Sequence, residues 1–242
     1  MKNILVSGVS RGLGLEIVEL LLKKKTFCVY GFSRSKTKAF EFLLEKYPDK
    51  LKWIYYDMSN TEDIRKKIFK EFIGFKTPLH GFVNNAAISY DDIVTNLNYK
   101  PLLEMYNINV FGPMMFTKYV IRQFLLHNVK GSIVHLSSIS AHTGYKGLAM
   151  YASTKGALES FSKNSAREWG ERGIRSNTLV AGFMETDMSS TLSNDQKNRI
   201  FKRTSMKIPT TKKSVAETIV FLLSEAAESI TGQNIHVDSG TI

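Results

Sequence analysis

Short apolar segments rich in β-branched and aromatic residues alternate along the chain with longer segments of helical periodicity. Seven strand segments are predicted, at Ile4–Ser7, Phe27–Phe32, Trp53–Tyr56, Gly81–Asn84, Ser132–Leu136, Arg175–Val180 and Asn234–Val237. Six helical segments lie between them, at Leu13–Leu22, Lys36–Glu45, Thr61–Glu71, Pro101–His127, Tyr151–Gly170 and Val215–Leu223. Strands that alternate with helices form βαβ units, whose right-handed crossovers place helices on both faces of a parallel sheet. The pattern therefore predicts an α/β fold, doubly wound around a seven-stranded parallel sheet.

The chain is expected to fold as a single domain over residues 1–242. It has 242 residues, 43% of them hydrophobic, which is enough for one sizeable buried core. The segment Phe183–Ser214 is polar and weakly patterned. We interpret it as a flap beside the substrate site, not as a second domain.

Composition narrows the possible partners. No apolar segment is long enough to span a bilayer, the start of the chain does not resemble a signal peptide, and Cys28 is the only cysteine, so a cytoplasmic protein is expected. The net charge of +11 indicates either a solvated basic surface or attraction to an anionic ligand or partner. No basic segment is interleaved with aromatic residues, so nucleic acid is not expected as a partner. The five histidines lack metal-ligand spacing, so no metal site is predicted.

A glycine-rich turn follows the first predicted strand and opens the first helix. Its residues include Gly8, Ser10, Arg11, Gly12, Leu13 and Gly14. Gly8 permits a tight turn, Gly12 lets the backbone approach a pyrophosphate, and Gly14 allows close packing of helix and strand. The start of the helix then offers free N–H groups and a positive dipole end to phosphates. The turn predicts a dinucleotide site in a Rossmann-type fold.

The end of the second strand indicates which nicotinamide cofactor binds. Sites for NAD place a carboxylate there, on the ribose 2′-hydroxyl. This chain has Ser33 and Arg34 at that point and no acidic residue. Guanidinium groups suit phosphate oxygens, so Arg34, with Arg11 from the glycine turn, predicts contact with a 2′-phosphate and hence NADPH/NADP+.

Tyr151 and Lys155 lie at i and i+4 near the start of an amphipathic helix, so they share a face. A free tyrosine has a pKa of about 10 and donates poorly to a ketone at neutral pH. A nearby cation lowers that pKa, which suits Tyr151 to be the general acid of a reduction or the general base of an oxidation.

Two further polar residues complete this constellation. The fifth strand ends at Ser138, and strand ends in parallel sheets face the ligand crevice, so this hydroxyl is placed to hold a substrate carbonyl. Alternation along the strand points the neighbouring Ser137 elsewhere. Asn109 lies in the long helix just before Gly112 and Pro113, where a break in the helix can free a carbonyl and admit water.

Together these motifs resemble the short-chain dehydrogenase/reductase family over essentially the whole chain. The resemblance implies a catalytic tetrad formed by Asn109, Ser138, Tyr151 and Lys155. In it Tyr151 donates the proton and Ser138 holds the carbonyl. Lys155 binds the nicotinamide ribose, and Asn109 holds a water that relays protons. Further cofactor contacts are implied at Asp57, Met58, Asn85, Ala86, Gly182, Met184 and Thr186.

Within the family, the nearest pattern is that of the 3-oxoacyl-[acyl-carrier-protein] reductases. The resembling segments are 10–12, 166–168, 172–174 and 182–188. The chain departs from that pattern at Ala87, Ala181, Ser239 and 206–211. The resemblance implies a homotetramer and docking of an acidic acyl carrier protein. Arg172 matches one docking residue, while the other position is Val129, next to Lys130.

Three functions remain open. The first is reduction of a 3-oxoacyl thioester. The second is reduction or oxidation of another carbonyl or alcohol, such as a sugar or glycan precursor, a polyol or a xenobiotic ketone, which the departure at 206–211 favours. The third is a cofactor-sensing protein without catalysis, against which the complete tetrad argues.

Overall fold

Seven parallel strands form one sheet in the order β3-β2-β1-β4-β5-β6-β7. The computed structural model describes residues 1–185 and 193–241. Its strands are β1 (Lys2–Ser7), β2 (Phe27–Ser33), β3 (Leu51–Tyr55), β4 (Gly81–Asn84), β5 (Ser132–Ser138), β6 (Arg175–Ala181) and β7 (Asn234–Val237). All seven predicted strands are present, so the predicted doubly wound, Rossmann-type fold is confirmed.

The helices connect these strands. They are α1 (Gly12–Lys23), α2 (Lys38–Lys46), α3 (Tyr99–Tyr106), α4 (Gly112–Leu126), α5 (Ala149–Trp169), α6 (Asn194–Arg203) and α7 (Lys212–Leu223). Two π-helical segments, Arg65–Phe72 and Asn107–Phe111, supply the helix before β4 and the junction between α3 and α4. Among the helices that the described residues form, none is both long and apolar enough to cross a membrane.

Alternation along the strands builds a core on each face of the sheet. Ile4 and Val6 of β1 pack into a cluster that also holds residues of α1, α2 and α7. Leu5, between them, points to the other face and joins a cluster with Phe69 and Phe116, from the first π-helical segment and α4. Side chains of successive strand residues point to opposite faces, so both faces are covered by helices.

The sheet order also fixes where a ligand can bind. From β1 the chain continues outward through β2 to β3, then returns to add β4 on the other side of β1. At such a switch point the loops after neighbouring strands diverge and leave a crevice at the carboxyl ends of the strands. Ser7, Asn84 and Ser138 end β1, β4 and β5 at this edge.

Helix α6 lies inside the segment interpreted as a flap and was not predicted. It begins with a capping box, in which the Ser193 side chain and Gln196 bond each other's backbone N–H groups. Only Ile200 and Phe201 are apolar in its sequence, so no hydrophobic periodicity marks it.

Candidate active site

Short hydrogen bonds hold the glycine turn against the end of β4. The backbone N–H groups of Asn85 and Ala86 both donate to the Ser7 hydroxyl, at 2.9 Å. The Asn85 side chain donates to the carbonyl oxygens of Ser7, at 3.0 Å, and Gly8, at 3.1 Å. A Cβ on Gly14 would lie 1.9 Å from the Gly8 oxygen, so only glycine lets α1 pack this close to the turn. These contacts make the turn a fixed wall of the crevice.

Gly12 is the open point of the turn. Its φ is +56°, and a Cβ there would meet nothing within 4 Å. Gly12 is also the first residue of α1, and Arg11 is its exposed N-cap. The start of α1, at the positive end of the helix dipole, therefore lies beside open space, an arrangement that fits a pyrophosphate.

The end of β2 presents a cation and a hydroxyl. The Arg34 side chain is half exposed, with Nη1 3.8 Å from Oδ2 of Asp57. The Ser33 hydroxyl donates to the Ser35 carbonyl at 2.7 Å and accepts from the Trp53 indole at 2.9 Å. With no carboxylate in β2 at this point, these residues fit a phosphate on the ribose better than a free 2′-hydroxyl.

One cavity of about 730 Å³ connects the glycine turn with Tyr151 and Lys155. The predicted site residues that line it are Gly8, Ser10, Arg11, Gly12, Leu13, Gly14, Ser33, Arg34, Asp57, Met58, Asn85, Ala86, Ser138, Tyr151, Lys155, Gly182 and Met184. Asn109 is not among the lining residues, and Thr186 lies outside the described residues. Residues that follow six strands, β1 to β6, thus line one crevice.

Tyr151, Lys155 and Ser138 meet where β5 ends. Helix α5 places Lys155 one turn after Tyr151, with Nζ 5.4 Å from the centre of the Tyr151 ring. The Lys155 ammonium donates to the Leu136 carbonyl oxygen at 2.9 Å, which fixes the lysine against β5. Ser138 Oγ accepts from the Ser140 N–H at 3.2 Å, so its own proton stays available for another acceptor.

Burial controls the acid–base properties of this group. Burial lowers the pKa of Lys155 to about 8. Burial, with a smaller contribution from the Asp91 carboxylate, raises the pKa of Tyr151 above its ordinary value. The expected lowering of the Tyr151 pKa by Lys155 is therefore corrected, because desolvation of the phenolate outweighs the nearby cation. Tyr151 stays protonated at neutral pH, as a proton donor must.

Asn109 lies in the π-helical junction Asn107–Phe111, at the predicted break in the long helix. Its side chain is fully buried and donates to the Ile88 carbonyl, at 2.8 Å, and to the Thr154 hydroxyl, at 3.1 Å. Its Oδ1 accepts from the Ile88 N–H at 3.0 Å. The Asn109 side chain thus connects the segment after β4 to Thr154 of α5, which lies between Tyr151 and Lys155 in sequence.

Known proteins resemble this chain over nearly its whole length. The profile of a family described as enoyl-(acyl carrier protein) reductase matches residues 8–241. The chain belongs to the short-chain dehydrogenase/reductase family. The 3-oxoacyl-[acyl-carrier-protein] reductase FabG of Aquifex aeolicus (strain VF5) is 32% identical over 98% of this chain and 95% of its own. An L-xylulose reductase of Caenorhabditis elegans is 30% identical over 99% of this chain and 95% of its own.

Solved structures agree on the family fold. A 4-hydroxyisoleucine dehydrogenase complexed with NADH is 25% identical, with a TM-score of 0.91 over 100% of this chain and 98% of its own. ElxO with NADP bound is 27% identical, with a TM-score of 0.86 over 99% of this chain and 98% of its own. The two neighbours hold different nicotinamide cofactors, so the choice for this short-chain dehydrogenase/reductase depends on its own residues.

Outside the predicted site residues, the cavity lining holds apolar side chains, two exposed cations and the polar side chains of Ser89, Asp91 and Ser140. The apolar residues include Ile139, Leu148, Phe183 and Ile200. Lys146 and Arg203, both exposed, also line it, and neither forms an ion pair with a described residue. Ile200 and Arg203 come from α6, so the segment interpreted as a flap supplies part of this wall.

The buried carboxylate of Glu159, behind the site, was not predicted from the sequence. Glu159, on α5, accepts from Ser137, His142 and Asn234. His142, in the loop after β5, is exposed and its Nε2 lies 2.9 Å from this carboxylate. The Ser137 hydroxyl, which strand alternation predicted to point elsewhere than that of Ser138, donates to Glu159, and Ser137 also lines the cavity. No sequence signal joins these residues, because they come from separate elements.

Proposed function

We propose that the protein is an NADPH-dependent carbonyl reductase whose preferred substrate is a 3-oxoacyl thioester, reduced to the 3-hydroxyacyl form. The observation that carries this proposal is that Ser138, Tyr151 and Lys155 line the same cavity as the glycine turn and Arg34. An acid, its supporting cation and a hydroxyl donor thus share one crevice with a dinucleotide cradle.

The geometry gives each side chain a role. Tyr151 is protonated at neutral pH and gives its proton to the carbonyl oxygen. The Lys155 ammonium, 5.4 Å from the ring centre, stabilises the phenolate that this transfer leaves. Ser138 donates its hydroxyl proton to the same carbonyl oxygen and holds the carbonyl in place. A nicotinamide held in the crevice would supply the hydride for the carbonyl carbon.

The cofactor assignment depends on the glycine turn and on the residues at the end of β2. The open backbone at Gly12 would hold the pyrophosphate, and Arg34, with Arg11, would hold the 2′-phosphate. Asp57 and Met58 would contact the adenine, and Lys155 the nicotinamide ribose.

The substrate assignment is supported by the walls of the cavity and by the relatives. The apolar residues at its far end suit an acyl chain, and Lys146 and Arg203 suit an anionic carrier at the entrance. The side chain of Lys130 packs where a Cβ on Gly173 would lie, at 2.8 Å, so it is close to Arg172 in space. Arg172 and Lys130 are both exposed and offer a second basic patch to an acidic acyl carrier protein.

A ketose or another small ketone is the second candidate. The 30% identity with an L-xylulose reductase favours it, as does the departure at 206–211 from the acyl reductase pattern. The same acid, cation and hydroxyl would serve, because the reaction at the carbonyl is unchanged. An acyl chain would use the apolar walls, whereas the hydroxyls of a ketose would meet Ser89, Asp91 and Ser140 in the same lining.

A homotetramer is also proposed. Leu103 of α3 and Phe111, before α4, are 39% and 45% exposed and would lie in its interface. A mass in solution near 27.4 kDa, that of one chain, would contradict this proposal.

The test is NADPH oxidation with a substrate panel. A short 3-oxoacyl thioester, the same acyl group on an acyl carrier protein, L-xylulose and a simple ketone are compared by kcat/KM. The proposal predicts the highest value for the thioesters. A higher value for L-xylulose would overturn the substrate assignment, and no turnover of any compound with NADPH bound would overturn the reductase assignment.

A further inference from the structure

Glu159 is a buried carboxylate that three other elements contact. It lies on α5 one turn after Lys155. The Ser137 hydroxyl, at the end of β5, donates to Oε1. The His142 Nε2 lies 2.9 Å from Oε2, and the Asn234 side chain, on β7, donates to Oε2 at 2.8 Å. A carboxylate this buried is stable only with several donors, and these three supply them.

The two partners from β5 and the following loop flank Ser138. Ser137 immediately precedes it, and His142 follows it by four residues. Between them the backbone turns at Ile139–Ala141, with the His142 N–H donating to the Ile139 carbonyl at 2.9 Å. Glu159 therefore holds both ends of the segment 137–142 that carries the Ser138 hydroxyl.

We propose that Glu159 is a positioning residue, which acts through Ser137 and His142 to fix the Ser138 hydroxyl relative to Tyr151. This inference rests on the proposed reductase function, since it assigns a role in that same site. Glu159 itself does not line the cavity and has no contact with the reacting atoms.

The test uses a matched pair of serine substitutions. Ser137→Ala removes a bond between β5 and α5, and Ser162→Ala removes the 2.8 Å bond between the Ser162 and Ser176 hydroxyls, which joins α5 to β6. Both serines are buried, at 4% and 1% exposure, so the two losses of packing are similar. Only Ser137 is connected to the segment that carries Ser138.

Two measurements are made on the full chain. Hydrogen exchange of the amides in 138–148 should quicken about tenfold in Ser137→Ala and in Glu159→Gln, and stay unchanged in Ser162→Ala. With a substrate that the wild type reduces, kcat should fall about ten- to a hundredfold in the first two variants, with KM for NADPH unchanged.

The exchange and kinetic measurements distinguish a failure of the positioning role from a failure of the proposed function. Equal exchange in the segment, or equal kcat, for Ser137→Ala and Ser162→Ala would overturn the positioning role. If the wild type reduces no carbonyl, the proposed function fails, and the exchange arm alone decides whether Glu159 fixes the segment.

Discussion

The close packing around Gly14 predicts that Gly14→Ala lowers the free energy of unfolding. In Gly14→Ala the added Cβ would lie 1.9 Å from the Gly8 oxygen and 2.8 Å from the Asn85 side-chain nitrogen. Contacts under 3 Å do not occur for real Cβ atoms, so the turn must move by about 1 Å and strain both Asn85 hydrogen bonds. Overpacking costs about 1–3 kcal/mol, and broken bonds to a buried amide about 1–3 kcal/mol more.

Gly156, on α5, is the matched control. A Cβ there would meet nothing within 4 Å, so Gly156→Ala should gain the helix propensity of alanine, about 1 kcal/mol. Subtracting the same gain from that cost of about 2–6 kcal/mol, Gly14→Ala should lose about 1–5 kcal/mol of unfolding free energy, or about 2–20 °C in Tm for a chain of this size. Thermal and urea unfolding of the two variants measure this. A Gly14→Ala protein as stable as the wild type would refute the close packing of α1 on the turn.

Two further predictions concern the chemistry of the crevice. Because burial lowers the pKa of Lys155 to about 8, its ammonium form predominates at pH 7 and is lost as the pH rises above about 8. Reductive kcat should therefore be flat below pH 7 and fall about tenfold per pH unit well above pH 8, and a flat profile up to pH 10 would contradict the role of the cation. Arg34→Ala should raise KM for NADPH about ten- to a hundredfold and leave KM for NADH nearly unchanged, because only the 2′-phosphate loses a partner. Equal changes for both cofactors would contradict the assignment.

The sequence predicts most of the strands, because Ile4–Ser7 and its counterparts are short apolar segments with turn residues at each end. It also locates the glycine turn and the Tyr151–Lys155 pair, which are local in sequence. Helix α6 is not predicted from the sequence, because a polar helix that is stabilised by its caps shows no hydrophobic periodicity.

The remaining features depend on three-dimensional packing. The π-helical segment Arg65–Phe72 was predicted only as part of a helix, because hydrophobic spacing does not distinguish the two. The direction of the Tyr151 pKa follows from burial, which sequence spacing does not show. The contacts of Glu159 join β5, the loop after it, α5 and β7, so they emerge only when those elements are packed.

The central claim is that Tyr151 is the proton donor of a carbonyl reduction. The most direct measurement is the single-turnover rate of NADPH oxidation with a carbonyl substrate, compared for the wild type, Tyr151→Phe and Tyr145→Phe. Tyr145 lines the same cavity, so its variant controls for the loss of a phenol hydroxyl there. The account predicts at least a roughly hundredfold fall for Tyr151→Phe alone, with NADPH still bound. A Tyr151→Phe enzyme that keeps its rate, or an equal fall in Tyr145→Phe, would contradict it.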